Sequence, residues 1–139
     1  MQIRLTKQFS FQMAHALDGY DGKCANLHGH NYRLEVTLEG TPLDDSTSPK
    51  DGMMVDFGDI RRIVEAAVIE PFDHALVLSS ASPFNIGLPT KTVVLPFPPT
   101  SENLLLHFVR LLDGRFPSNA RLHSLRLYET DTSCAELIL

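Results

Sequence analysis

The chain has 139 residues, the length of one domain, and its 43% hydrophobic and 21% charged residues are ordinary for a globular protein. A net charge of -5 argues against a general nucleic-acid binder, because such proteins usually carry a basic face. No apolar run approaches the roughly 20 residues that cross a bilayer, and the N-terminus lacks a signal-peptide core. We therefore expect one cytoplasmic domain over residues 1–139, without a membrane or nucleic-acid partner, in which Cys24 and Cys134 are free thiols.

Two segments of alternating polarity open the chain and predict neighbouring antiparallel strands. Residues 2–15 alternate with little interruption, and His15 lies in phase with their apolar side. Residues 28–39 alternate equally well, and His28 and His30 continue their apolar face. If the two strands pair, three imidazoles meet at the same end of one sheet face.

The middle of the chain predicts two helices. Asp56 fits the N-cap of the first helix, which we expect to end at Pro71. Thr100 or Ser101 caps the second, and Gly114 is its expected terminator.

The remaining segments complete the predicted topology. The proline-rich segment 79–99 predicts mostly irregular structure with one β-prone run at 92–95, and residues 125–139 predict a closing hairpin. The order is therefore ββααββ, which is typical of an α+β fold with an antiparallel sheet and two helices.

The three histidines and Cys24 form the densest group of reactive side chains. Three imidazoles with an open position are the ligand set of a catalytic zinc, although imidazole also suits copper, nickel or iron. The alternative is that these histidines are core side chains satisfied by hydrogen bonds. Cys24 precedes His28 closely, so it is a thiolate base beside the metal, a fourth ligand or a buried inert thiol.

Two further candidate groups lie later in the chain. Asp73 and His74 are adjacent, so in an extended segment they point to opposite sides and cannot simply bond each other. One of them can still reach the thiol from another strand or another subunit. Glu129 is in phase with apolar neighbours, and a carboxylate is costly to bury without a partner. The other titratable candidates, His107, His123 and Cys134, are interpreted as structural.

Six short motifs occur in a specific order and spacing, at residues 11–15, 24–32, 54–57, 72–74, 99–103 and 128–130. In these motifs the chain resembles the 6-pyruvoyl-tetrahydropterin synthase and 6-carboxytetrahydropterin synthase family over nearly its whole length. The resemblance implies the tunnelling fold, with a four-stranded antiparallel sheet and two helices on one face. In that fold the sheets join into a trimeric barrel and two trimers stack as a homohexamer.

The same resemblance implies roles for the candidate residues. Zinc (Zn2+) would be held by His15, His28 and His30, with the open position taken by hydroxyls of the substrate side chain. Cys24 would be the general base that removes a carbon-bound proton, with Asp73 and His74 as its relay. Glu129 would anchor the guanidine-like edge of a pterin, while Thr100, Ser101 and Glu102 would help to hold the ring.

The spacing of Cys24 and His28, with three residues between them, resembles that of the bacterial carboxy-forming branch. This branch is a lyase that converts 7,8-dihydroneopterin triphosphate to 6-carboxy-5,6,7,8-tetrahydropterin, acetaldehyde and triphosphate, on the pathway to queuosine. Lys23 and Lys91 are candidates for receiving the triphosphate.

Two alternatives to the carboxy-forming lyase stay open. The pyruvoyl-forming reaction eliminates triphosphate from the same substrate. A non-catalytic pterin- or purine-binding module is an alternative of another class, but it would not need Cys24, Asp73 and His74. Two features depart from the family pattern: Phe72 stands where Leu is usual before Asp-His, and segment 79–99 is long.

Overall fold

A computed structural model describes residues 1–139 and contains one six-stranded mixed sheet. Its strands are β1 (Ile3–His15), β2 (His28–Gly40), β3 (Ala75–Ser79), β4 (Thr92–Leu95), β5 (Ala120–Thr130) and β6 (Ser133–Ile138). Across the sheet their order is β4-β3-β1-β2-β5-β6. The central pair β1 and β2 is antiparallel, and its register runs from Ile3 opposite Gly40 to His15 opposite His28.

The sheet has two more strands than the four of the predicted ββααββ order, and one of them, β4, is the predicted β-prone run at 92–95. β3 pairs parallel with β1, and β4 pairs parallel with β3, so the sheet is mixed rather than purely antiparallel. All five residues of β3 are buried. A strand buried on both faces reads as a continuous apolar run without alternation, and this is why periodicity did not predict it. The four antiparallel strands β1, β2, β5 and β6 pair as predicted.

The helices are α1 (Phe57–Val64), α2 (Glu70–Phe72) and α3 (Ser101–Leu112), and a 3-10 turn covers Lys23–Ala25. Asp56 caps α1 by accepting from the Gly58 N–H at 2.7 Å, and Thr100 caps α3 by accepting from the Asn103 N–H at 3.2 Å. Both predicted caps are confirmed. None of the helices has the combination of length and apolar character that a membrane span requires.

The helical path continues through Pro71 rather than ending before it. Between α1 and α2 lies a π-helical turn, Glu65–Ile69, in which the Glu70 N–H donates to the Glu65 carbonyl. A proline ring crowds the carbonyl of the preceding turn and has no N–H to donate. In this helix the ring meets a widened turn, so the last turn reaches Phe72 and the predicted end at Pro71 is wrong.

The core lies between the helices and one face of the sheet. A single cluster of 23 buried residues joins strand residues such as Tyr32 and Leu34 to helix residues such as Val64 and Phe108. The opposite face of the sheet is polar, with cross-strand hydrogen bonds such as that between the Thr6 and Thr37 hydroxyls at 2.8 Å. The helix-covered side of the sheet therefore provides most of the hydrophobic core, and a smaller cluster of Ala16, Leu76 and Leu78 lies on the other face at β3.

A buried carboxylate ties the far end of this polar face together. Glu39 is only 6% exposed, and it accepts hydrogen bonds from Arg4 and Arg121, both at 2.8 Å. His123 Nδ1 lies 3.4 Å from the same carboxylate. The two guanidinium groups offset the cost of burying the charge.

Replacing this carboxylate by an amide should make stability less sensitive to acid. Hydrogen bonds from Arg121 and Arg4 lower the pKa of Glu39 to about 2 from its ordinary value of 4.5. The stabilisation is therefore complete above 4.5 and is lost as the pH falls toward 2. We expect Glu39→Gln to melt several degrees below the wild type at neutral pH, with the gap narrowing near about pH 3. Thermal unfolding followed by circular dichroism measures both gaps, and a gap that is independent of pH would contradict this account.

Candidate functional site

Three histidines converge at the end of the β1–β2 pair. His15 lies directly opposite His28 in the register, and His30 lies opposite Met13, so all three imidazoles project from the helix-covered face. One ring nitrogen from each histidine lies within 4.8 Å of those of the other two. The convergence predicted from strand phase is thus present in the structure, and the three side chains can hold a metal ion.

Backbone carbonyl groups determine which ring nitrogens face inward. His15 Nδ1 lies 2.9 Å from the Pro99 carbonyl oxygen, and His28 Nδ1 lies 2.7 Å from the Asn26 carbonyl oxygen. Because a carbonyl oxygen only accepts, each Nδ1 carries the hydrogen and each Nε2 keeps its lone pair. Such carbonyl partners orient metal-binding histidines in many proteins.

The inward-facing nitrogens suit a cation. The Nε2 atoms of His15 and His28 lie 3.0 Å apart, and the buried Nε2 of His30 has no hydrogen-bond partner. Nitrogen lone pairs this close repel each other unless a positive charge lies among them. Burial lowers the pKa of His15 and of His30, which favours the neutral imidazole that a metal ion binds.

Glu129 lies beside the histidines. One carboxylate oxygen is 3.4 Å from His30 Nε2, and the other accepts a hydrogen bond from the Ser101 hydroxyl at 2.9 Å. The pairing of β5 with β6 is irregular between Tyr128 and Thr130, and such an irregularity can redirect a side chain at a strand end. Glu129 is half-buried, so its carboxylate is held in place while remaining available to a ligand.

Cys24 lies on the 3-10 turn and is half-buried as a free thiol. It lines a cavity of about 360 Å³ together with the other predicted pocket residues Thr100, Ser101, Glu102 and Glu129. Burial, with the nearby charges of Glu129 and Cys24, raises the pKa of Tyr32, whose ring centroid is 5.6 Å from that of His30.

Asp73 and His74 bond each other, contrary to the expectation for an extended segment. His74 adopts a left-handed backbone with φ 58°, and this turn brings its Nδ1 to 2.9 Å from the Asp73 carboxylate. The same carboxylate accepts from the Gln12 N–H at 3.0 Å, which is the largest of the effects that lower the pKa of Asp73. The pair is thus preorganised, with the carboxylate ionised and directed at the imidazole.

His74 and the thiol of Cys24 line different cavities. His74 lines a cavity of about 680 Å³ whose wall includes His28 and His30, together with Gln12, Ala14, Gly29 and Asn31, which alternate with the histidines along β1 and β2. Side chains that alternate with the histidines project from the other face of the sheet. Within one chain, Cys24 and Glu129 therefore line one cavity and His74 lines another.

The remaining candidates have local partners. Lys91 donates to the carbonyl oxygens of Glu70 and Asp73, the latter at 2.8 Å, so its ammonium group is already occupied at the end of α2. His107 packs against Phe72 and Phe97. Cys134 lines the same cavity as Cys24, a position that sequence reasoning missed because the residue lies on a distant strand. The Pro99 and Asn26 carbonyls were also missed, since a backbone group leaves no signal in the sequence.

Comparison with known proteins agrees over almost the full length. A family model described as 6-pyruvoyl tetrahydropterin synthase matches residues 4–138. A Haemophilus influenzae protein named 6-carboxy-5,6,7,8-tetrahydropterin synthase is 37% identical, covering 96% of this chain and 97% of the relative. A Rickettsia bellii protein with the same name is 32% identical, covering 97% and 99%. The structure of Caenorhabditis elegans 6-pyruvoyl tetrahydropterin synthase is 25% identical with a TM-score of 0.72, covering 99% of this chain and 96% of that one. The α+β fold class and the resemblance carried by the motifs are confirmed.

Proposed function

This chain belongs to the 6-pyruvoyl tetrahydropterin synthase family, and on that premise we propose that it is a zinc-dependent 6-carboxy-5,6,7,8-tetrahydropterin synthase. Its substrates would be 7,8-dihydroneopterin triphosphate and water, and its products 6-carboxytetrahydropterin, acetaldehyde and triphosphate, on the route to queuosine. The observation that carries the choice is the 37% identity to a relative of that name over nearly both chains. The short spacing between Cys24 and His28 supports the same branch.

In this proposal His15, His28 and His30 hold the zinc ion. Three neutral imidazoles are a frequent ligand set of a catalytic zinc, and the unpaired, buried Nε2 of His30 supports a ligand at this position. Bound zinc would supply a Lewis acid that acidifies the substrate side chain and stabilises negative charge on its oxygen. Chain residues then carry the binding and proton-transfer steps.

Cys24 is the proposed general base, because it lines the cavity next to the histidines and a thiolate can remove a carbon-bound proton. Glu129 is the proposed anchor of the pterin. Its carboxylate matches two adjacent N–H donors of the guanidine-like ring edge, and Ser101 orients it through the 2.9 Å hydrogen bond. Thr100 and Glu102 form the neighbouring cavity wall, where they would contact the ring.

Asp73 and His74 are proposed to relay the proton of Cys24 across a subunit boundary. His74 lines a different cavity from the thiol in the same chain, so a second copy would have to bring the pair to the site. This requirement supports the homohexamer, a dimer of trimers with sheets joined into barrels, that the family resemblance implies. Lys23, next to Cys24 and exposed, is the better candidate for the triphosphate because Lys91 is engaged with backbone carbonyls.

We place the reaction in the cytoplasm, where Cys24 and Cys134 would stay reduced as the free thiols of this structure.

The second candidate is the pyruvoyl-forming reaction, which the name of the Caenorhabditis elegans structural relative favours. Product analysis with 7,8-dihydroneopterin triphosphate separates the two reactions. We expect acetaldehyde and triphosphate in equal amounts from protein whose zinc content has been measured. Triphosphate without acetaldehyde would reject the carboxy-forming reaction. The absence of both products would favour a non-catalytic pterin-binding protein.

A further inference from the structure

The loop between β1 and β2 is tied to the sheet by a buried hydroxyl. Ser79 is the last residue of β3 and is 5% exposed. Its Oγ donates a hydrogen bond to the carboxylate of Asp18, which lies three residues after His15 in this loop. The bond joins residues that are 61 positions apart in the sequence, so it fixes the loop to a strand that follows the Asp73–His74 pair.

The same loop is closed at its base next to Cys24. The Leu17 N–H donates to the Cys24 carbonyl oxygen at 2.8 Å, and Leu17 directly precedes Asp18. The other backbone hydrogen bonds of the 3-10 turn are local, from Ala25 to Gly22 and from Asn26 to Lys23. These local bonds shape the turn, and the His28 side chain binds the Asn26 carbonyl at 2.7 Å just after it, a contact that does not involve Cys24 directly. The connection from Ser79 through Asp18 and Leu17 therefore locates the residue that carries the thiol.

We propose that Asp18 and Ser79 are positioning residues that hold Cys24 at the cavity it shares with Glu129. The inference rests on the proposed role of Cys24 as general base. Asp18 and Ser79 do not transfer the proton themselves. A reacting group that is misplaced by about 1 Å can lose up to about 100-fold in rate. Asp18 acts through its acceptor oxygen, because the hydroxyl of Ser79 is its donor.

Paired substitutions test this role. Ser79→Ala and Asp18→Ala remove one partner each, whereas Ser79→Thr keeps the hydroxyl and Asp18→Asn keeps an acceptor oxygen without the charge. We expect the two alanine variants to lose about tenfold in kcat with unchanged KM for 7,8-dihydroneopterin triphosphate and unchanged metal content. The Thr and Asn variants should keep at least half of the wild-type kcat. The double alanine variant should be no slower than either single variant, because both remove the same bond.

Hydrogen–deuterium exchange provides a readout that does not depend on activity. We expect peptides from residues 16–27 to exchange faster in Ser79→Ala than in the wild type or Ser79→Thr, while β1 and β2 stay protected. Normal kcat in Ser79→Ala would overturn the proposal, as would an Asp18→Asn variant as slow as Asp18→Ala. Faster exchange throughout the chain would also overturn it, since the bond would then support the whole fold.

Failure of the proposed function would look different. If Cys24→Ala keeps normal turnover, the thiol is not the base, and the hydrogen bond between Asp18 and Ser79 has no catalytic role. If Cys24→Ala is inactive while hydrogen exchange of the loop is unchanged in Ser79→Ala, Cys24 remains the proposed base. Only the positioning role of Asp18 and Ser79 is then rejected.

Discussion

His28→Ala is expected to lose its bound metal, and its kcat is expected to fall by more than about 100-fold. His28 lies directly opposite His15, and their Nε2 atoms are 3.0 Å apart, so the substitution leaves two imidazoles where three converged. Removing a residue that hydrogen-bonds to a metal ligand already lowers metal affinity or activity by about 10- to 100-fold, and removing a direct ligand should lower them further. His28 is only half-buried, so the fold should survive the change.

The measurement combines metal content by elemental analysis with thermal unfolding at increasing zinc. Wild-type protein stripped by a chelator should bind one zinc per chain and melt at a higher temperature as zinc is added, because a ligand of the folded state stabilises it. His107→Ala is the matched control, since His107 contacts Phe72 and Phe97 rather than the cluster. Full zinc content in His28→Ala would contradict the assignment of this ligand set.

Cys24→Ala is expected to keep its zinc and lose about 10²- to 10⁴-fold of its turnover, the usual contribution of a general base. The thiol lines the cavity with Glu129 and is not one of the three nitrogen donors that converge. Steady-state kinetics and metal analysis on the same preparation measure both properties. Cys134→Ala is the control thiol in the same cavity and should retain most activity.

Each result for Cys24→Ala has a separate meaning. Near-normal turnover would remove the thiol from the mechanism, and loss of zinc would make Cys24 a fourth ligand.

A mixing experiment extends the test to the relay between copies. Inactive Cys24→Ala and inactive His74→Ala proteins should regain activity when they are dissociated and reassembled together, because a mixed boundary contains one intact thiol and one intact imidazole. If no activity returns after reassembly, the result contradicts a relay between two chains.

Strand phase predicted the histidine cluster because it depends on two local regularities. Side chains alternate along β1 and β2, and a hairpin-like pairing puts the end of one strand against the start of the next. The caps Asp56 and Thr100 were predictable for the same reason, since a helix start needs a side-chain acceptor at that position.

Features that depend on distant or backbone groups were not predictable. β3 has no alternation because it is buried throughout, and its parallel pairing with β1 joins segments about 60 residues apart. The bond between Asp73 and His74 depends on the left-handed backbone of His74, which few residues other than glycine adopt. Carbonyl partners such as Pro99 are supplied by the main chain, and a residue type does not reveal them.

The register of β1 and β2 also separates what evolution can vary in this site from what it cannot. His15 ends one strand and His28 begins the next, so the segment between them can change length without moving either ligand. A single insertion between His28 and His30 would turn one of them to the opposite face of the sheet. The histidine cluster is therefore fixed by the strands, whereas Cys24 lies on the loop between them. The loop that carries Cys24 can therefore be remodelled without disturbing the three histidines.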